Sequence, residues 1–220
     1  MDEHNIIDAR FKCPFGLIAS GPSQVGKTSF VFNLIQQADS LIDQPLDYIF
    51  WFYGEYNDTI RLIETVYKDK IQPVQGLPED FDQYIKKGQF GLHIYDDLMV
   101  ESVSSRALTS MITKKCHHRS VSWILILQNL FYDGKERRTI LRCAHYLVVF
   151  NNPLDQSVPH ALAHKIMPRN QRLFLEIFEK AASKPHGYLL IDGHQHTPYD
   201  ARLRADIFRG YQKVFIPVLK

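Results

Sequence analysis

At 220 residues, 45% apolar and 12% aromatic, the chain belongs with ordinary globular proteins and is long enough to bury a substantial core as one domain spanning 1–220. No run of about 18 apolar residues occurs, and Met1-Asp2-Glu3-His4-Asn5 lacks the basic-then-apolar order of a signal peptide, so a soluble intracellular protein with no membrane partner is expected. The net charge of +2 names no partner, and Cys13, Cys116 and Cys143, an odd set without CxxC spacing, indicate neither a disulfide framework nor a zinc site.

The first apolar run of strand length covers 15–20 and leads directly into Gly21-Pro22-Ser23-Gln24-Val25-Gly26-Lys27-Thr28, which fills every fixed position of G-x-x-x-x-G-K-[ST]. A helix is predicted over 27–38, opening on Lys27, Thr28 and Ser29. Strand, glycine loop and helix together make a phosphate cradle. The loop turns its backbone N–H groups inward at a closeness that Cβ atoms would block, and the helix adds its positive N-terminal end. Residues 21–29 are therefore expected to hold the phosphates of ATP, with Lys27 spanning the outer two and the Thr28 hydroxyl on a magnesium ion.

A second strand is expected at 48–53, a helix at 57–68, and a loop at 72–78 on the strength of its Pro and Gly content. The strand predicted at 90–95 ends in Asp96-Asp97, where a phosphate-loop fold places its magnesium carboxylate. Asp96 takes that role. Asp97, one residue on, either accepts a proton from the attacking water as general base or caps the segment that begins at Leu98. A helix is predicted over 104–117, followed by a strand at 122–127 whose tip carries Gln128. At that position the amide either reaches the γ-phosphate and lytic water or simply marks the strand end.

Between Glu101 and His145 eight basic residues face three acidic ones, a local excess of five that suits either a polyanion or a solvated helix face. Further strands are expected at 146–150 and 188–191, a helix at 169–182 with Leu173, Phe174, Ile177 and Phe178 as a core-facing stripe, and a loop at 193–198. Strands that are apolar throughout, alternating with helices, imply an α/β fold: a mainly parallel sheet flanked by helices on both faces.

Several segments, among them Cys116-His117-His118-Arg119-Ser120-Val121-Ser122, Gln128-Asn129-Leu130-Phe131, Gly134-Lys135-Glu136, Arg138-Thr139-Ile140, Ala144-His145-Tyr146, Phe150-Asn151-Asn152-Pro153 and Gly187-Tyr188-Leu189-Leu190-Ile191-Asp192, resemble the packaging ATPases of Polinton (Maverick) elements and adintoviruses. Those proteins are similar to the poxvirus-type packaging ATPases of the FtsK/HerA motor superfamily. The resemblance runs from the phosphate loop to about residue 208, and its most specific stretch is 117–153. It implies a ring of identical subunits that uses ATP and magnesium to drive double-stranded DNA, gripped by its phosphates, into a preformed capsid through contact with vertex or portal proteins. It also supports Lys27 and Thr28 on nucleotide and metal, Asp96 on metal, Asp97 as base and Gln128 as polar sensor.

Two departures stand out. Many motors of the superfamily carry Glu where Asp97 stands, and Pro153-Leu154 replaces a Pro followed by a basic residue, which weakens a DNA role for that loop. A ring motor also requires an arginine acting on the neighbour's phosphates. Arg119, after one predicted helix and before the Gln128 strand, is the first candidate, with Arg137 and Arg138 behind it; a surface arginine paired to a carboxylate is the alternative at each. His117 and His118 lack a second ligand pair at zinc spacing. A nucleotide kinase-like phosphotransferase and a non-hydrolysing assembly protein remain as competing functions.

Overall fold

A computed structural model of the chain describes residues 8–98, 102, 104–131, 133–208, 210 and 212–217. Glu101, counted above among the charges, lies outside them. Five strands end on the same side of one sheet: β1 (Gly16–Ser20), β2 (Tyr48–Tyr53), β4 (Gly91–Asp96), β5 (Val121–Leu127) and β6 (Tyr146–Phe150). With β3 (Ile71–Gln75) they pair in parallel, and β7 (Tyr188–Asp192), β8 (Leu203–Ala205) and β9 (Lys213–Val214) extend the sheet antiparallel in the order β3-β2-β4-β5-β1-β6-β7-β8-β9.

Alternate strand residues serve two separate cores, as the period of two requires. Leu17, Ala19, Trp51, Ile94 and Ile126 pack with Phe30, Val31 and Leu34 of α1 (Lys27–Gln36), near the short α2 (Ala38–Leu41), and with Ile60 and Ile63 of α3 (Asp58–Val66). On the opposite face Ile18, Phe52, Tyr95, Leu125 and Val149 pack with Leu108 of α4 (Arg106–Ser110), Ile140 of α5 (Arg137–Cys143), Leu162 of α6 (Ser157–Ile166) and Phe174, Ile177 and Phe178 of α7 (Gln171–Ala182). The stripe predicted on the last helix is thus core packing. Among the described residues no helix is long and apolar enough to cross a membrane.

The structure departs from expectation in places with a physical cause. Residues 72–75, expected to belong to a loop over 72–78, instead lie in β3 (Ile71–Gln75) despite Pro73. β3 is an edge strand; Gly76 N–H donates to Tyr53 O, so by alternation the nitrogen of Pro73 faces away from β2, where no ladder bond is lost. The helix expected over 27–38 breaks at Gln37, and that over 104–117 passes from α4 into a π turn at Met111–Lys115 and a tight turn at His117–Arg119. Helices α5 and α6 and strands β8 and β9 were not indicated by periodicity.

Candidate nucleotide-binding site

The loop between β1 and α1 is shaped by its small residues. Gln24 (φ 64°) and Gly26 (φ 106°) both occupy the left-handed region, and Gly21 lies so close to β6 that a Cβ there would sit 2.7 Å from that of Phe150. The N-terminus of α1 has no side-chain cap, which leaves the first-turn N–H groups to a ligand. Lys27 is buried and folds back over the loop, its Nζ donating to Gly21 O at 2.7 Å and Pro22 O at 2.6 Å. Burial lowers its pKa, and the neighbouring Asp96 charge opposes that shift.

Asp96 closes β4, opposite Tyr53 of β2, on the sheet face covered by α1. Burial, reinforced by the charge of Asp97, raises its carboxyl from 3.8 to about 6, with the Lys27 ammonium pulling the other way. The indole N–H of Trp51 is buried without a hydrogen-bond partner of good geometry and lies beside this carboxylate, also favouring its charged form. Asp97 turns outward in the left-handed region (φ 54°) and is exposed. That turn fits only because β2 is followed by glycine: a Cβ on Gly54 would stand 2.4 Å from Asp97 O.

Parallel strands bring their carboxyl ends to one side, so residues far apart in the chain meet there. A cavity of about 200 Å³ is lined by Ser23, Gln24, Lys27, Thr28, Asp96, Asp97 and Gln128, which is most of the set expected from the sequence. Asn57 and Thr59 also line it, a contribution the sequence reading missed. Asn57 caps α3, its side chain accepting from Thr59 N–H at 3.0 Å and Ile60 N–H at 3.2 Å. It opens the helix expected over 57–68, but its place beside Asp96 depends on β2 neighbouring β4. Gln128 also borders a narrow cleft with Gly21, Pro22 and Asn152, on the other side of the loop's first residues.

Among the described residues no arginine lines that cavity. Arg119 is exposed in the turn before β5. Since Leu127 at the far end of β5 pairs with Ser20, Arg119 lies at the opposite end of the sheet from the cavity, about 20 Å away at the usual rise of a strand. It does not reach the phosphate loop of its own chain. Arg137 and Arg138 open α5, the former with its Nε buried and without a partner among the described residues, and neither lines the cavity.

The arrangement offers a cation, uncapped helix N–H groups, a hydroxyl, two adjacent carboxylates and a polar amide around one space. Thr28 and Asp96 are hard oxygen donors that suit magnesium, and a buried carboxylate with a raised pKa is one whose ionised form a bound cation would relieve. Among the described residues no group of three or more His, Cys, Asp or Glu is placed to hold a metal.

No protein-family model matches the chain, and no curated protein matches it. Solved structures do. The genome packaging NTPase B204 from Sulfolobus turreted icosahedral virus 2 in complex with ATP-gammaS superposes with a TM-score of 0.55 at 13% identity, over 94% of this chain and 98% of that one. The same protein in complex with AMPPCP gives 0.53 at 15% identity, over 94% and 99%. B204, the DNA-packaging ATPase from Sulfolobus turreted icosahedral virus, gives 0.56 at 11% identity, over 94% and 98%. At this identity the likeness establishes the fold: a mixed α/β P-loop NTPase.

Proposed function

We propose that this chain, built on a P-loop NTPase fold, is a magnesium-dependent ATPase that translocates double-stranded DNA, and that it packages a viral or element genome into a preformed capsid. The observation that carries the ATPase reading is the single cavity that unites Lys27 and Thr28 with Asp96, Asp97 and Gln128. The packaging reading draws on the Polinton- and adintovirus-like sequence segments and on solved neighbours that are themselves named packaging enzymes.

The loop N–H groups and Lys27 bind the triphosphate, Lys27 exchanging its two carbonyl partners for the outer phosphates. Thr28 and Asp96 would hold magnesium, which when bound neutralises charge between the outer phosphates. Asp97 takes a proton from the water as its oxygen bonds to the γ-phosphorus and the bond from phosphorus to the ADP oxygen breaks, ADP keeping the electron pair. Gln128 orients that water. Arg119 of a neighbouring copy adds a cation to the transferring group, which makes turnover depend on a ring of identical subunits. Grip on the duplex is through phosphates, because a packaging motor must pass any sequence.

Phosphate release from ATP with and without double-stranded DNA tests the proposal. DNA stimulation is expected, with binding that weakens steeply as salt rises. Release only in the presence of a nucleotide acceptor would instead make the protein a phosphotransferase, and no release under any condition would make it a non-hydrolysing assembly protein.

A further inference from the structure

Tyr53 at the end of β2 pairs with Asp96 at the end of β4, so the residues that leave β2 run alongside the two carboxylates. Gly54 stands against Asp97, where a Cβ would lie 2.4 Å from Asp97 O. Further along the same segment Asn57 lines the cavity of about 200 Å³ that Asp97 and Gln128 also line. Strand register, a close backbone contact and a shared cavity thus bring Asn57 to the side of Asp97 from a neighbouring strand.

Asn57 is braced. Its backbone carbonyl accepts from Arg61 N–H at 3.1 Å, and its side-chain oxygen accepts twice, from Thr59 N–H at 3.0 Å and Ile60 N–H at 3.2 Å. Tyr56 beside it is tied to α3 by its hydroxyl, which donates to Glu64 at 2.7 Å. Only the amide oxygen can accept from the two N–H groups, so the amide plane is set and Nδ2 is left over, with no hydrogen bond among the described residues. Capping by itself does not call for that nitrogen. Serine or aspartate caps a helix about as well; asparagine alone adds N–H donors on a plane that the cap has already oriented. Asp97 has the complementary need: it is exposed, at φ 54°, and its carboxylate makes no hydrogen bond among the described residues.

We infer that Asn57 is a positioning residue for hydrolysis, its Nδ2–H donating to the Asp97 carboxylate and turning it toward the water that attacks the γ-phosphate. The inference rests on the reading of Asp97 as general base. A carboxylate that takes a proton must present one oxygen to the water, and a donor on its other oxygen selects that orientation without competing for the proton. Asn57 transfers nothing itself: the proton passes from water to Asp97, and the amide keeps both of its own. A neutral donor suits the place, because a lysine or arginine would hold the carboxylate at the expense of its basicity, and an aspartate would set a third negative charge beside Asp96 and Asp97. Since the donor belongs to the β2–α3 connection and not to the phosphate loop, nucleotide binding does not depend on it.

Steady-state turnover and ATP titration on the full chain, with magnesium and double-stranded DNA, separate positioning from capping. Asn57→Ser keeps an oxygen for the cap and removes the amide: kcat should fall at least about tenfold while the Kd for ATP stays within about twofold and the melting temperature is unchanged. Asn57→Asp also keeps the cap and has no donor, so it should not rescue turnover. Wild-type kcat in either folded variant would make Asn57 a cap only and overturn the inference while leaving Asp97 as base. Combining the substitutions gives a second arm. With Asp97→Asn already present, Asn57→Ser should lower turnover by less than about twofold more, because the group it orients is gone. A further loss of about tenfold would mean that Asn57 acts on something other than Asp97, and would overturn the inference as well. If Asp97→Asn alone leaves turnover at the wild-type rate, the base assignment fails and this inference fails with it.

Discussion

Asp96→Asn should inactivate the protein and make it more stable. The folded Asp96 carboxyl titrates at about 6 instead of 3.8, burial being the main cause. At 1.36 kcal/mol per pKa unit, keeping it ionised costs the ligand-free fold ~3 kcal/mol at neutral pH. Between those two values the folded chain binds more protons than the unfolded chain, so stability falls as pH rises, and above about 6 the penalty is complete. Asparagine has the same shape and no charge to bury. Lys27 keeps its bonds to Gly21 and Pro22 in the variant. For a chain of 220 residues ~3 kcal/mol corresponds to a rise in melting temperature of about 6–12 °C. The assay is thermal unfolding in a chelator without nucleotide, near neutral pH and again near pH 4, where the wild-type carboxyl is largely protonated and the advantage should vanish. Adding magnesium and ATP should restore the wild-type protein more than the variant, since the bound cation rewards only the charged side chain. A variant that melts below wild type at neutral pH, or a gain equal at both pH values, would refute the reasoning.

Other substitutions separate the remaining roles. Lys27→Ala should abolish hydrolysis and greatly weaken nucleotide binding, whereas Asp97→Asn should keep ATP bound while turnover falls about a hundredfold or more; equal loss of binding in both, by titration and phosphate release, would mean Asp97 is not the base. Gly54→Ala places a Cβ 2.4 Å from Asp97 O, so turnover should fall further than ATP affinity and stability should drop by ~1–3 kcal/mol, read by thermal melting. Arg119→Ala should leave ATP binding by isolated subunits nearly unchanged while assembled turnover falls on the order of a thousandfold, and mixing it with Lys27→Ala subunits should partly restore activity. Mixed assemblies that form and stay inactive would transfer the role to Arg137 or Arg138.

What the sequence disclosed about this fold follows from how local each signal is. The phosphate loop is eight consecutive residues between a strand and a helix, and Asp96, Asp97 and Gln128 each end an apolar strand, so residue type and position coincide. Gly54, Asn57 and Trp51 carry no such mark. They act on Asp96 and Asp97 only because β2 lies beside β4 in the sheet, an order that depends on the packing of helices on both faces. β8 and β9, of three and two residues, are too short to show a period. In β3 the loop-forming character of Pro73 outweighed a strand pattern that becomes acceptable only at an edge.

That edge has a bearing on how copies of the chain meet. At one margin of the sheet Pro73 withholds an outward-facing N–H from β3; at the other, β9 offers only Lys213 and Val214, with the Lys213 ammonium turned to Asp206. Among the described residues neither margin provides the row of free donors and acceptors along which a strand from a second copy would zip. In the proposed ring, subunits would therefore recognise one another through side chains on loops and helices, a kind of joint that can slide or rock between steps of a cycle. A continuous intersubunit sheet would lock the copies in one register.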